Sequence, residues 1–178
     1  SLPETGVYDP NKKIDVKIRK EYIFRMYERS CILLSGQSIN SNNHLELSFL
    51  IITGGNIVSA RKITVNTLPD QLRVVDFCIN GDFRINILLE YTVRSVKKYI
   101  FIVQDMDGNQ SESEINQGEG HQYFDIRKIR NLNEDIFFDV KLVSGRGLFK
   151  LKEDSHLQLV YQNKHALGIF LKDPENLV

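Results

Sequence analysis

Gln71-Leu72-Arg73-Val74-Val75-Asp76-Phe77-Cys78-Ile79 runs directly into Asn80-Gly81-Asp82-Phe83, and this stretch decides the fold. Arg73, Val75, Phe77 and Ile79 alternate with the residues between them, a period of two that belongs to a strand rather than a helix. Asn80-Gly81 is the strongest short hairpin signal in the chain, because a two-residue primed turn needs positive φ at both positions. Phe83 to Val93 then reads as the returning strand. Lys97 to Gln104 reads as the next one, through Tyr99-Ile100-Phe101-Ile102-Val103.

The same pattern continues on both sides. Upstream, Ile14, Val16 and Ile18 alternate with Asp15, Lys17 and Arg19, and Tyr22 to Leu34 gives a second strand. Ser35 to Asn43 is polar and rich in turn formers, hence a loop. Leu45 to Thr53 is apolar enough for a strand buried on both faces, and Gly54-Gly55 turns it back into Asn56–Val65. Downstream, Tyr123 to Ile126 reads as a short strand and Ile126 to Glu134 as the one segment suited to a helical turn. Ile136–Val143, Leu148–Leu151, His156–Gln162 and Leu167–Leu171 complete about ten strands, with turn signals at the spacing of a sandwich. The expected architecture is an all-β antiparallel β-sandwich, jelly-roll or Greek-key-like, with little helix. Residues 12–173 form one domain in this reading. Residues 1–6, Ser-Leu-Pro-Glu-Thr-Gly, match a sortase-type sorting signal displaced to the start, and read as a ligation or expression scar or a disordered beginning.

Composition supports the same class. The chain of 178 residues holds two alanines, Ala60 and Ala166, against 19 Ile, 13 Val, 10 Phe and 7 Tyr. A helical protein of this length would not forgo its best helix former. Lys plus Arg and Asp plus Glu are 23 each, so no global charge draws the chain toward nucleic acid or an anionic membrane. No apolar run reaches the ~20 residues of a membrane helix, and no leader pattern opens the sequence. The expectation is a soluble, intracellular domain with no integral membrane segment, in which Cys31 and Cys78 are both thiols.

Residues for catalysis do not stand out. His44, His121, His156 and His165 hold no metal spacing with each other or with Cys, and no Ser sits in a nucleophile elbow. Gly118-Glu119-Gly120 and Gly145-Arg146-Gly147 read as turns with no following helix to hold a phosphate. The basic clusters Lys97-Lys98, Arg127-Lys128 with Arg130, and Arg146 with Lys150 and Lys152 read as solvated strand faces, with no nucleic acid bound.

The acidic turn is the one local candidate. Asp105, Asp107 and Asn109 alternate after an apolar strand, with Glu114 beyond them, and such oxygen ligands suit Ca²⁺. The strand running into Asp-x-Asp resembles the third calcium loop of C2 domains, and the resemblance implies calcium-dependent lipid binding through these residues. Asp-Gly-Asn is equally a hairpin turn. No enzyme, metal or cofactor is therefore expected. The leading expectation is a non-catalytic interaction module, an adaptor that binds a protein partner through a sheet edge or loops. The alternative is a C2-like or carbohydrate-binding sandwich.

Overall fold

The computed structural model describes residues 21–24, 30–66, 72–80, 82–117, 124–132 and 134–164. Residues 1–6, the strands expected at 14–18 and 167–171, His121, His165 and Gly81 lie outside them. The described chain is all-β and antiparallel, as its composition requires, and has twelve strands. Among the described residues no helix is long and apolar enough to cross a membrane.

Three four-stranded sheets are present, each a meander in chain order. Sheet 1 contains β1 (Glu21–Phe24), β2 (Ser30–Ile39), β3 (Leu45–Thr53) and β4 (Asn56–Val65). Sheet 2 contains β5 (Arg73–Ile79), β6 (Ile85–Val93), β7 (Val96–Gln104) and β8 (Gln110–Glu114). Sheet 3 contains β9 (Phe124–Leu132), β10 (Asp135–Leu142), β11 (Gly145–Leu151) and β12 (Leu157–Lys164). No strand order within a sheet shows the crossing of a jelly roll or Greek key; each strand pairs with its sequence neighbours.

The sheets stack in three layers. One core joins sheets 1 and 2 through Ile32, Leu47, Phe49, Ile51, Ile63, Phe77, Ile87 and Ile102. A second joins sheets 2 and 3 through Cys78, Leu88, Tyr99, Phe101, Ile126, Phe138 and Phe149. Sheet 2 is thus the middle layer, and in β6 six successive residues from Ile85 to Glu90 are buried. Odd positions of β6 enter the first core and even positions the second, as the pleat demands. Edge-to-face ring pairs bridge both cores, Phe49 with Phe77 at 5.2 Å and Phe101 with Phe138 at 5.7 Å. Cys78 lies in the second core while Cys31 stands on β2, so the two do not face each other.

Irregularities explain where the sequence pattern misled. The alternation Arg73, Val75, Phe77, Ile79 is broken by a bulge between Val74 and Asp76, which puts Val74 with Phe77 and Ile79 in the first core. From Ile126 the chain is strand through Leu132, not the expected helical turn. Lys128 pairs with Asp139 and Ile126 with Val140, so Arg127 is an extra residue and the buried Ile126 and Ile129 fall three apart. That spacing imitated a helix. Gly145-Arg146-Gly147 opens β11 instead of forming a turn. A Cβ on Gly147 would meet the Phe149 ring at 2.7 Å, so only glycine fits beneath that ring.

The turns fall into two kinds. Gly54-Gly55 (φ 58° and 81°) and Arg94-Ser95 (φ 49° and 66°) are two-residue turns with both residues left-handed. Four longer connections share another frame: Asn40–His44, Asn80–Arg84, Asp105–Asn109 and Lys152–His156. In each, the first N–H donates to the fifth carbonyl at 2.9–3.0 Å, and the fourth N–H donates back to the first carbonyl at 3.0–3.1 Å. The fourth residue is left-handed in all of them: Asn43, Phe83, Gly108 and Ser155. Asn80 therefore starts a five-residue loop rather than a two-residue turn, and the positive φ falls on Phe83. Its side chain explains this, since the Asn80 Oδ1 accepts the Arg84 N–H at 3.2 Å and closes the wider loop.

Three-layer packing is testable at two adjacent residues. In a two-layer sandwich either Ile87 or Leu88 would face solvent, and its truncation would cost little. Here Ile87→Ala and Leu88→Ala should each lower unfolding free energy by about 2–5 kcal/mol, measured by denaturant titration.

Candidate functional site

Two polar clusters and one cleft stand out beyond the cores. The first cluster centres on Arg61 of β4. Its Nε donates to Gln104 Oε1 at 2.9 Å and its Nη2 to the Gln104 carbonyl at 2.8 Å. The same guanidinium reaches the carbonyls of Phe83 and Asp105, and so ties together two of the five-residue loops. Burial draws Arg61 below its ordinary value, and the nearby Asp105 charge opposes that shift. Gln104 returns the contact by donating to the Lys62 carbonyl at 3.1 Å, and Gln110 donates to the Thr64 carbonyl at 2.7 Å. Part of the β4 edge is therefore already bonded.

The second cluster links sheets 2 and 3 at the other end of β7. The Tyr99 hydroxyl donates to Glu90 Oε2 at 2.9 Å and accepts the Ile126 N–H at 2.9 Å. The Phe124 carbonyl and Asp125 Oδ1 are farther, at 3.5 and 3.4 Å, and a phenol has one proton to give. Burial is the main cause that holds the Tyr99 phenol well above its ordinary value, with the Glu90 and Asp125 charges adding to it. It stays a donor. Glu90 also accepts from Arg73 Nε at 2.9 Å and lies 3.8 Å from Lys97 Nζ. Lys97 bonds Asp125 at 3.0 Å, and Asp125 bonds Arg127 at 2.8 Å. The charges alternate in sign along Arg73, Glu90, Lys97, Asp125 and Arg127, which compensates the burial of Glu90.

Next to this chain, between the β6–β7 and β10–β11 hairpins, lies an open cleft of about 360 Å³. Val96, Phe124, Leu142 and Val143 give it an apolar wall, and Lys97, Asp125, Lys141 and Gln117 give it a polar one. A second hollow of about 350 Å³, lined by Lys98, Glu114, Ile115 and Asn116, shares Gln117 with the first. The Gln117 amide donates to the Lys97 carbonyl at 3.0 Å, so its position at the junction is held. Val93, Val96 and Val143 near the hairpin tips are 45, 47 and 73% exposed.

The residues expected for calcium are placed as follows. Asp105 Oδ1 accepts the N–H groups of Asp107 and Asn109 at 3.0 and 2.8 Å, and its Oδ2 accepts the Asn109 side-chain amide at 3.0 Å. These bonds close the loop frame that three other loops adopt. Asp107 is exposed, and Glu114 lies at the far end of β8, about 13 Å along the strand. Among the described residues no group of three or more His, Cys, Asp and Glu stands close enough to hold a metal ion. His44 closes the Asn40–His44 loop, and His156 bonds Asp154 at 2.8 Å and Asn116 at 2.9 Å. Sequence reading missed Glu90, Tyr99, Asp125 and Arg61. The available signal was Glu90 and Tyr99 inside otherwise apolar strands.

Tyr99→Phe should cost about 1–3 kcal/mol, since it leaves the Ile126 N–H and one Glu90 oxygen without their buried partner; chemical denaturation measures it. A pH effect comes from three carboxylates in or beside the five-residue loops. Hydrogen bonds, chiefly from Asn40 to Glu46, Asn109 to Asp105 and His156 to Asp154, lower all three below the ordinary range. Their contribution is present above that range and is lost as pH falls through the lowered values. The melting temperature should therefore drop below about pH 4, and Asp105→Asn should flatten that drop.

No protein-family model, curated protein or solved structure matches the chain.

Proposed function

We propose that this chain is a non-catalytic interaction module that binds a protein partner where the β6–β7 and β10–β11 hairpins meet. The observation that carries the reading is the open cleft flanked by three exposed valines, with Val143 at 73% exposure. Large aliphatic groups left in water around a concave site favour association with another surface. The loops are a better binding element than the β4 edge, because Gln104 and Gln110 already occupy its carbonyls at Lys62 and Thr64. Calcium has no part in this reading, since both Asp105 oxygens are engaged within their own loop.

The test places one charge at each end of the molecule. Val143→Asp should abolish partner recovery from an extract by immobilised protein, quantified by mass spectrometry. Met106→Asp, on the exposed loop at the opposite end of β7 about 30 Å away, should leave recovery within about fivefold of wild type, with or without chelator. Equal recovery by both variants would remove the cleft from the function. A calcium effect that vanishes in Asp105→Ala would favour the C2-like alternative.

A further inference from the structure

The cleft has a charge as well as a shape, and the charge is arranged at a cost. On the hairpin that forms its outer wall, Lys141 of β10 and Arg146 of β11 are direct cross-strand partners. Both are exposed, and neither makes an ion pair among the described residues. Like charges placed directly opposite in a sheet repel. The Asp125 carboxylate, opposite Lys141 on β9, already pairs with Lys97 and Arg127, so one carboxylate stands among three cations. Arg94 at the tip of the β6–β7 hairpin adds another cation. In a chain whose total charge is zero, this end is locally positive.

Resting on the reading of the cleft as a protein-binding site, we propose that its ligand is an extended acidic peptide segment. Its carboxylates pair with Lys141 and Arg146, and an aliphatic side chain packs on Val96, Leu142 and Val143. Three features select this chemistry. The two hollows lie on either side of a shared residue, Gln117, and two adjoining recesses suit a chain rather than a compact molecule. The exposed apolar groups around it are valines, which match aliphatic side chains. Phe124, the ring in the cleft wall, is 5% exposed and edge-packed on Phe149, so it offers no open face for a nucleotide base to stack on. Guanidinium and ammonium groups bind carboxylate through charge-assisted hydrogen bonds, which gain strength beside an apolar wall.

Fluorescence anisotropy with the full chain tests this with three labelled ten-residue peptides of alternating Val and a second residue: Glu, Gln or Lys. A single-stranded oligonucleotide serves as a fourth probe. The Glu peptide should bind at least about tenfold tighter than the Gln peptide and weaken as salt is raised; the Lys peptide should not bind. Lys141→Glu with Arg146→Glu should reduce Glu-peptide affinity about tenfold or more, with an unchanged circular dichroism spectrum, since both positions are exposed. Two patterns separate the two levels of the argument. Equal binding of Glu and Gln peptides, lost in Val143→Asp, overturns the acidic ligand and leaves the binding module standing. No binding by any peptide overturns both. Oligonucleotide binding that the double variant abolishes, with the peptides silent, replaces the peptide with nucleic acid.

Discussion

Sheet 2 is covered on both faces along most of its length, so the polar groups buried there depend on partners inside the protein. Burying an amide or carboxylate without a hydrogen bond costs more than most single contacts return. The middle layer nevertheless contains Asp76, Asn86, Glu90 and Gln104, all nearly inaccessible to water. Their partners show how the cost is met. Asp76 accepts the N–H groups of Phe77 and Ile129 at 2.8 Å each. Glu90 takes Arg73 and Tyr99, and Gln104 takes Arg61. Two of these five bonds, Asp76 to Ile129 and Gln104 to Arg61, cross from one sheet to the next. The polar groups of the middle layer thus act as rivets between layers that apolar packing alone would leave free to slide.

The rivets also set the direction in which the molecule can present itself to a partner. One end of β7 is closed by Arg61, which gathers the carbonyls of two loops, and the β4 edge there is bonded by glutamine side chains. The other end carries the Tyr99 cluster, and beyond it the hairpin tips diverge and leave the cleft. Rigidity just behind the opening favours binding, because less order must be imposed when a ligand arrives. The cationic pair Lys141 and Arg146 stands on the exposed side of that rigid frame, with neither residue in an ion pair among the described residues.

Much of the fold was legible in the sequence. The scarcity of alanine and the repeated alternation gave the all-β class, and Gly54-Gly55 marked a true two-residue turn. The layer number was not legible from any single strand. Ile87 to Leu89 reads as a short continuous apolar run, and such a run shows burial on two faces without showing which sheets cover them. Bulges hid more: Val75 and Arg127 each add one residue and shift the pattern by a face. The site was hardly legible at all. Lys97, Asp125 and Lys141 come from three strands, and Asp105, the conspicuous acid, is spent on closing its own loop. Local spacing reports loop chemistry well and assembled clefts poorly.

The order of the meanders along the chain has a consequence for synthesis. Each sheet is contiguous in sequence, so its hairpins form from near neighbours and early. A nascent chain that has released only β1 to β8 can build the first core completely. Its second core is still half made, and Leu88, Tyr99, Phe101 and Ile115 lie bare on the far side of sheet 2. The Tyr99 hydroxyl meets Glu90 within sheet 2, but it gains the Ile126 N–H only when β9 arrives. The interval before sheet 3 emerges is a period of exposed apolar surface, in which the half-built protein depends on chaperones or on speed to escape aggregation.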